Sequence, residues 1–297
     1  MTRRRIVSIS MPHFAMERWV REMTRRECAP PDGIAVVLAT EGRHGPVVHA
    51  TNRAARAAGV ITGERIVDMR ALCPDLQVEY ADVAGDLRAL ERLKMWARRW
   101  CPWTVADGSD GLILETTGAD HLVGGEAAML IDIQTRLSLM GLTAHPAVAP
   151  TWGAAWALAR YGPVRARCDL GNVAAALAPL PVAGLRLDDA TILLLHRLGL
   201  KTIGALAQAP RLSLTRRFAR AVLAANPLMR LDQAMGRLAE PVASTGAPPL
   251  MRVDARLPEP IMDPSAHVPG LCEKLCTKLS DQGMGCRSLR LSVYHTD

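Results

Sequence analysis

The sequence predicts a multidomain α+β protein in which a mixed α/β part is followed by a helical part. Predicted strands and helices alternate as far as Tyr161, whereas helical patterns and a tight glycine turn dominate the chain after Pro163. A Gly-, Pro- and Ser-containing stretch from Ser244 to Pro249 then precedes a last, shorter segment. A chain of 297 residues is long enough for two or more domains.

The first predicted element is a short apolar strand, IVSISMPHF, which starts at Ile6 and runs into a turn. Two further strands, IAVVLAT and GPVVHAT, flank a turn between Glu41 and Gly45. The Ala-rich stretch that follows, NRAARAAGV, is typical of a helix that Gly59 ends. The pattern therefore predicts a strand, a hairpin and a helix, in that order.

Two amphipathic helices and two strands complete the α/β part. In LRALERLKMWARRW, apolar residues recur at spacings of three and four, at Leu90, Leu93, Ala97 and Trp100. A later helix repeats this spacing with Leu130, Ile133, Leu137 and Met140. The stretches GLILETTG and LTAHPAVAP are predicted strands.

The helical part contains two predicted helices joined by Gly199, Leu200 and Lys201, with Gly204 early in the second. Such a turn exposes backbone N–H groups at a helix start, where phosphate oxygens bind without base reading. An ordinary αα-corner gives the same pattern. Residues 167–240 hold ten Lys and Arg against five Asp and Glu, in a chain of net charge +7. This excess favours DNA contact over the plain corner.

The last segment predicts a β-α-β unit. Its strands are MRVDARLPEPI and SLRLSVYH, and the helix between them carries Leu271, Leu275 and Leu279. No apolar run reaches the roughly 20 residues of a membrane span, and the seven cysteines include no C-x-x-C pair. We therefore expect a soluble cytoplasmic protein with reduced thiols and no zinc site.

The order of these elements resembles the Y-family translesion DNA polymerases, and most closely the ImuB branch of the UmuC-related proteins. The most specific stretch is ARAAGVITGERIVDMRALCPDLQVEYAD, which matches the fingers pattern of the family at Arg56, Gly59, Val60, Gly63, Ala71, Cys73 and Pro74. LPVAGLRL and LGLKTIGAL match the thumb, and the first strand, GLILETTG and AVAPTWGAAWALAR match the palm.

The resemblance implies a right-hand architecture of palm, fingers and thumb. Its domains would be a palm at 1–15 and 75–165, fingers at 16–74, a thumb with a helix-hairpin-helix at 166–240, a linker at 241–249 and a partial, truncated little finger at 250–297.

The resemblance also implies where a two-metal site would stand. The two aspartates of the family's first strand fall on Ser10 and Pro12, and its later Asp-Glu pair falls on Asp110 and Gly111. Two Mg²⁺ ions need hard oxygen ligands, chiefly carboxylates, and one carboxylate of three remains. The sequence therefore predicts a polymerase fold with no catalytic residues, no bound metal and no cofactor.

Other family positions are changed as well. The triphosphate-binding Tyr-x-x-Arg corresponds to Arg53 through Arg56, a vestigial nucleotide contact or an ordinary surface helix. Both palm lysines are tryptophans, Trp152 and Trp156, one helical turn apart; such a pair is more typical of a core than of a nucleobase platform. Ala15 holds the aromatic position that screens ribose.

The resulting hypothesis is a non-catalytic homologue that grips primer-template DNA at a lesion and acts as an adaptor in mutagenic translesion synthesis during the SOS response. Its candidate DNA contacts are Gly199, Lys201, Thr202, Gly204, Arg216, Arg217 and Arg287. By resemblance, its partners are the sliding clamp, the RecA-like accessory protein ImuA and an error-prone C-family polymerase, in a bacterial cytoplasm at the nucleoid. The alternative is an active polymerase that holds Mg²⁺ with relocated carboxylates, for which the candidates are Asp107, Asp110, Glu115 and Glu17.

Overall fold

The computed structural model of the chain describes residues 4–242, 251–255, 257, 262–281, 286 and 289–293. The chain divides into two compact units, Met1–Ala243 and Ser244–Asp297.

The described residues of the first unit form seven strands, which are β1 (Ile6–Ser10), β2 (Val36–Thr40), β3 (Val47–Thr51), β4 (Gln77–Tyr80), β5 (Thr104–Asp107), β6 (Gly111–Glu115) and β7 (His145–Ala149). The helices before residue 165 are α1 (Phe14–Arg25), α2 (Arg53–Ala57), α3 (Ile66–Leu72), α4 (Val83–Ala97), α5 (Glu126–Leu139) and α6 (Trp152–Tyr161). A helical part follows, with α7 (Val173–Leu177), α8 (Asp189–Arg197), α9 (Ile203–Gln208), α10 (Arg211–Arg217) and α11 (Pro227–Ala234). Short 3₁₀ turns lie at Asp120–Val123, Leu170–Asn172, Val182–Leu185 and Leu223–Ala225.

The first sheet is antiparallel, with the strand order β5-β6-β1-β7. Its central strand β1 is buried throughout, because helices cover both faces. Val7 and Ile9 pack with α4 and α5 in one core cluster, whereas Ile6 packs with α6 and the helical part in another. The alternation of side chains along a strand thus divides β1 between two cores.

The two predicted amphipathic helices form as expected. Leu90, Leu93 and Ala97 of α4 are buried, as is Trp100 just after the helix, and Leu130, Ile133 and Leu137 of α5 are buried with them. The indole N–H of Trp100 donates to Asp132 Oδ2 of α5 at 2.8 Å. An apolar stripe at this spacing buries itself against a sheet, and both helices cover the same sheet face.

The second sheet has the order β3-β2-β4 and its own core, built from Val37, Val48, Ile66 and Met69 among others. β2 and β3 form the predicted antiparallel hairpin, and α2 ends before Gly59, whose φ is +85°. β4 pairs with β2 in parallel.

The pairing of β4 with β2 extends the second sheet past residue 75, where the palm is predicted to resume, and the domain bounds stay a prediction. A parallel strand needs a crossover connection, and α2 and α3 supply it between β3 and β4. Residues up to Tyr80 therefore belong with the second sheet rather than with the first.

In the helical part, α8 and α9 are joined by the predicted glycine turn, with Gly199 at φ +79°. In the second unit, α12 (Val268–Asp281) follows a 3₁₀ turn at Ser265–His267 and buries Leu279. No helix in the described ranges combines the length and apolar character that crossing a bilayer requires.

The strands predicted on either side of α12 are not found in the residues that the structure describes. Of the two stretches predicted as strands, the structure describes residues 251–255, 257 and 289–293, and these form no strand. The other residues of both stretches lie outside the described ranges. A pair of strands on its own is marginally stable in water, and strands need further strands or a covering helix to form a stable sheet.

Candidate functional site

Two strand ends bring the predicted metal-site positions together. Ser10 ends β1 and pairs with Gly111 at the start of β6, and the turn between β5 and β6 carries Asp110. The Met11 N–H donates to the Asp110 carbonyl oxygen at 2.7 Å, which ties the chain after β1 to this turn. Pro12 and Asp110 line the same cleft.

The carboxylate of Asp110 is paired with an arginine from α6. Arg160 Nη2 donates to Asp110 Oδ1 at 2.8 Å, and Arg160 Nη1 lies 3.9 Å from Asp107 Oδ2. The guanidinium also lies over the Trp156 ring, 4.0 Å from its centroid. Because a guanidinium in a protein does not lose its proton, it offsets the negative charge that a divalent cation would use.

The backbone at Gly111 leaves little room for a side chain. A Cβ atom there would lie 2.9 Å from the Asp107 carbonyl oxygen and 3.2 Å from Arg160 Nη2. The contact with a backbone oxygen is not relieved by rotating a side chain, so a larger residue requires the β5–β6 turn to shift.

The other candidate carboxylates do not join Asp110. Glu115 stands at the opposite end of β6, roughly 13 Å away at the rise of a strand, and Arg4 donates to both its oxygens at 3.2 and 3.3 Å. Glu17 accepts hydrogen bonds from the N–H and the hydroxyl of Thr143, at 2.9 and 2.5 Å. Two of the carboxylates predicted as relocated metal ligands, those of Glu115 and Glu17, therefore pair with Arg4 and Thr143 and not with a site at Asp110.

Asp107 is the remaining carboxyl beside Asp110. Burial raises its pKa, and the nearby Arg160 only partly offsets that effect. A carboxyl whose charged form is disfavoured by burial is a poor contributor of negative charge.

These residues do not fit a pair of Mg²⁺ ions. Ser10 offers a neutral hydroxyl, Pro12 offers no side-chain donor, and Asp110 is held by Arg160. Across the described part of the chain, no group of three or more His, Cys, Asp and Glu residues is arranged to hold a metal.

A cleft of about 250 Å³ opens in front of Asp110, between the first and second sheets. Arg56 lines it and donates to the Thr51 carbonyl oxygen at 2.6 Å, with His13 Nδ1 3.4 Å from the same nitrogen. Burial, followed by the charge of Arg56, lowers the pKa of His13. Ala15 is also in the lining. Of the predicted arginine pair, the structure thus brings Arg56 to the cleft and leaves the exposed Arg53 outside its lining.

A second cavity, of about 490 Å³, lies on the other side of Asp110. Trp152 and Trp156 both line it, together with three arginines: Arg160, Arg186 and Arg230. The two indoles are half-buried, and Trp152 packs on the core around α6. The prediction of plain core residues is therefore only partly right, because the same rings face a polar cavity.

In the glycine turn before α9, on whose backbone donors the predicted phosphate contact depends, most N–H groups are paired within the chain. The N–H groups of Gly199 and Lys201 donate to His196 and Gly199 carbonyl oxygens. Those of Ile203 and Gly204 donate to Leu180 and Ala178 carbonyl oxygens at 2.9 and 3.0 Å, and the Ala205 N–H donates to the Thr202 hydroxyl. These donors are therefore satisfied within the chain. The Thr202 side chain caps the N-terminus of α9.

Gly204 has a packing role in this arrangement. A Cβ atom at Gly204 would lie 2.9 Å from the Ala178 carbonyl oxygen, because α9 crosses close to α7 there. Lys201, by contrast, is exposed in the turn, and its ammonium group is available to solvent.

Arg216 and Arg217 lie at the end of α10 and are exposed. Within the described ranges, neither has an acidic partner within ion-pair distance, unlike Arg211, which pairs with Asp232. Arg287, the last predicted DNA contact, lies outside the described residues.

Sequence patterns missed the arginines around Asp110. Arg160 follows Trp156 by four residues on one helix, and that spacing is the one signal in the sequence for their stacking. Arg186 and Arg230 come from separate segments of the helical part, and their convergence depends on tertiary packing.

Comparisons with known proteins find one family model and curated relatives that match parts of this chain. A family model described as "impB/mucB/samB family" matches residues 22–160. Protein ImuB of Caulobacter vibrioides is 42% identical over 244 residues, which are 80% of this chain and 52% of that protein. The chain thus spans about half the length of the curated relatives it matches.

Solved structures agree on the fold. DinB from Sulfolobus solfataricus has a TM-score of 0.64 at 17% identity, over 81% of this chain and 69% of that chain. The insertion ternary complex of Dbh DNA polymerase has a TM-score of 0.62 at 17% identity, over 80% of this chain and 69% of that chain.

Proposed function

Because the chain carries an impB/mucB/samB-family domain, resembles ImuB and has the Y-family polymerase fold, we propose that it is a DNA-binding homologue without nucleotidyl-transfer chemistry. In this proposal the protein grips primer-template DNA and serves as an adaptor in mutagenic translesion synthesis. The fold and the family are inferred from the similar proteins. The absence of nucleotidyl transfer is argued from the residues around Asp110.

The pairing of Asp110 with Arg160 is the observation that carries the proposal. Nucleotidyl transfer through two metal ions needs concentrated negative charge where the attacking oxygen and leaving group meet. Here Asp110 Oδ1 accepts a hydrogen bond from Arg160 Nη2 at 2.8 Å. Its neighbours in the fold, Ser10, Pro12 and Gly111, carry no charge. Local charge at this position is close to balanced without any metal.

Unpaired basic side chains of the helical part support DNA binding. The acidic residues there are mostly used by other arginines, since Asp232 pairs with Arg211 and Glu240 with Arg186. The exposed basic residues of 167–240 that pair with no acidic residue of the described chain are Arg167, Arg197, Lys201, Arg216, Arg217 and Arg220. Such side chains bind phosphates by charge and release counterions, without reading sequence.

The adaptor role would place the chemistry on a partner. By resemblance to the ImuB branch, the proposed partners are a sliding clamp, the accessory protein ImuA and an error-prone C-family polymerase. The support for these partners is the similarity to ImuB, and the chain covers 52% of that protein.

The test of DNA binding is a salt titration. Fluorescence anisotropy with a labelled primer-template between 50 and 200 mM salt should show an affinity that falls steeply as salt increases, as expected when lysines and arginines displace counterions. The double variant Arg216→Gln, Arg217→Gln should bind more weakly and reduce the slope of log affinity against log salt by about two.

Arg92→Gln is the matched control, because Arg92 is an exposed arginine on α4, away from the helical part. It should leave both affinity and slope close to those of the parent protein. Affinity that does not depend on salt, or an equal loss in Arg92→Gln, would contradict the proposed contact surface.

A further inference from the structure

Strand β4 forms an open edge of the second sheet. Among the described strands it pairs with β2 alone, and the Gln77 N–H donates towards that side, to the Ala35 carbonyl oxygen at 2.9 Å. Successive N–H groups of a strand point to opposite sides, so those of Val78 and Tyr80 point away from β2. An edge of this kind can accept a further strand, because its outward backbone groups are ready to pair.

Other edges of the two sheets are covered by the chain itself. Beside β3, the Val48 N–H donates to the Glu64 carbonyl oxygen and the Gly63 N–H donates to the Val48 carbonyl oxygen, each at 2.8 Å. Beside β7, the Val148 N–H donates to the Ala166 carbonyl oxygen at 2.9 Å. β5, at the remaining edge, is buried or half-buried along its length. β4 is therefore the most exposed of these four edge strands.

The two faces of β4 carry different side chains. Val78 packs on the core of the second sheet, and Tyr80 follows it on the same face but is 71% exposed. Glu79 lies on the opposite face and is exposed. Exposed apolar side chains also flank the strand in the sequence, Leu72 before it and Val83 after it. A strand laid beside β4 would therefore meet apolar groups on one face and a carboxylate on the other.

The charge along this edge is negative, although the chain has a net charge of +7. Residues 71–87 contain four acidic residues and no Lys or Arg. Asp82 and Asp86 pair with an arginine of α1. Within the described ranges, no basic side chain lies within ion-pair distance of Asp75 or Glu79. These two carboxylates are available to attract a basic partner.

We propose that β4 is a docking edge to which an extended, basic segment of another protein adds as a further strand. Backbone hydrogen bonds to Val78 and Tyr80 hold the segment, and its alternating side chains give specificity. Lysine or arginine of the segment faces Glu79, and its apolar residues lie beside Tyr80 on the other face.

The same charge argues against two other occupants. A second copy of the chain would bring the Asp75 and Glu79 carboxylates of both strands together, and like charges opposite each other destabilise a strand pair. Charged side chains on an edge are a common device against such self-association. Nucleic acid is a polyanion and would be repelled. A basic peptide is the occupant whose charge complements the edge.

The experiment is a fluorescence anisotropy titration of the full chain with a labelled peptide in which lysine and valine alternate. Two peptides of equal length are controls, one with its lysines grouped at one end and one with glutamate in place of lysine. The alternating peptide should bind most tightly, because it presents basic and apolar side chains to opposite faces of β4. The grouped peptide has the same charge and tests whether charge alone suffices.

Variants of Tyr80 separate backbone pairing from side-chain contact. Tyr80→Pro removes an outward N–H and should weaken binding of the alternating peptide by about tenfold, whereas Tyr80→Thr keeps that N–H and should lose less. Proline is tolerated where the N–H of an edge strand faces solvent, and thermal melting checks that each variant folds. Glu79→Gln should weaken binding by about threefold. Asp189→Asn, at an exposed acidic residue of α8, is its control and should bind as the parent does.

Amide hydrogen exchange followed by NMR tests the geometry, since exchange at Val78 and Tyr80 should slow when the peptide binds. Absence of binding, equal binding of the three peptides, or equal binding by the folded Tyr80→Pro and Tyr80→Thr proteins would overturn the proposal. So would displacement of the peptide by primer-template DNA, or a dimer that Tyr80→Pro dissociates, since these would assign the edge to nucleic acid or to a second copy. None of these results bears on the salt titration, which tests DNA binding by the helical part.

Discussion

At the scale of single residues, the ion pair with Arg160 opposes metal binding by the Asp110 carboxylate. The two residues are 50 positions apart in the chain and meet because α6 packs on the first sheet below the β5–β6 turn. The guanidinium lies where a cation would otherwise offset the carboxylate. The absence of carboxylates at Ser10, Pro12 and Gly111 can be read from the sequence, but the ion pair between Arg160 and Asp110 cannot.

The crowded backbone at Gly111 gives a first prediction. Gly111→Ala should lower the free energy of unfolding by about 1–3 kcal/mol, because its Cβ would lie 2.9 Å from the Asp107 carbonyl oxygen. Chemical denaturation measures the change. Gly171→Ala is the control, since nothing lies within 4 Å of a Cβ there, and its change should stay within about 0.5 kcal/mol. Equal stability of the two variants would mean that the turn is not packed as described.

The buried carboxyl of Asp107 gives a second prediction, on pH. Its pKa is raised in the folded protein, so the folded state holds this proton more tightly than the unfolded state. As pH rises above the ordinary carboxyl pKa of about 3.9, the parent should therefore lose stability relative to Asp107→Asn. Denaturation of both proteins across this pH range measures the difference. A difference that is flat, or that favours the parent as pH rises, would show that Asp107 is not held in this way.

At the scale of elements, the turn between α8 and α9 shows that a sequence motif predicts local structure but not the partners of its backbone N–H groups. The sequence predicted the two helices and the glycine between them, and the structure confirms both. The expected phosphate contact relied on free backbone N–H groups, and whether these are free depends on what packs against the helix start. Here the chain around Ala178 and Leu180 accepts them, which no local pattern indicates.

A third prediction separates packing from binding in this turn. Gly204→Ala should destabilise the protein by about 1–2 kcal/mol, since the clash with the Ala178 carbonyl oxygen exceeds the gain in helix propensity. Lys201→Gln should keep the stability and weaken DNA binding. Melting curves and anisotropy on both variants check this. A Gly204→Ala protein that is fully stable but binds DNA poorly would contradict this reading and would indicate that the backbone of the turn contacts DNA.

The predictable elements were those with strong periodicity. α4 and α5 carry apolar residues at helical spacing, and the hairpin of β2 and β3 has apolar strands on either side of a turn. No sequence pattern predicted α1, and none predicted β4 or β5, which are four residues long each. β4 is largely exposed, so no alternation marks it, and its place in the second sheet depends on a parallel pairing with β2.

At the scale of the whole molecule, charge is distributed unevenly between two regions of the first unit. Around Asp110, acidic and basic groups are paired and partly buried. On the helical part, exposed basic residues outnumber their acidic partners, as the count of ten against five between residues 167 and 240 indicated. The first arrangement suits a neutral, stable site, and the second suits contact with a polyanion.

Separation of these regions gives a fourth prediction. Arg216→Gln with Arg217→Gln should reduce DNA affinity, whereas Trp152→Phe should leave it close to that of the parent, because Trp152 lies beside the paired charges around Asp110 and not among the exposed basic residues. Fluorescence anisotropy on both variants measures the two affinities. An equal loss of affinity in the two variants would show that the region around Asp110 also contacts DNA.

The most direct test of the central claim is primer extension under conditions in which the chain is bound to its primer-template. A labelled primer, all four nucleotides and either Mg²⁺ or Mn²⁺ are incubated with protein at a concentration that anisotropy shows to be saturating. We expect bound primer and no extension with either metal. Extension that disappears in Asp110→Ala would contradict the account, because it would mean that Asp110 holds a catalytic metal in place of Arg160.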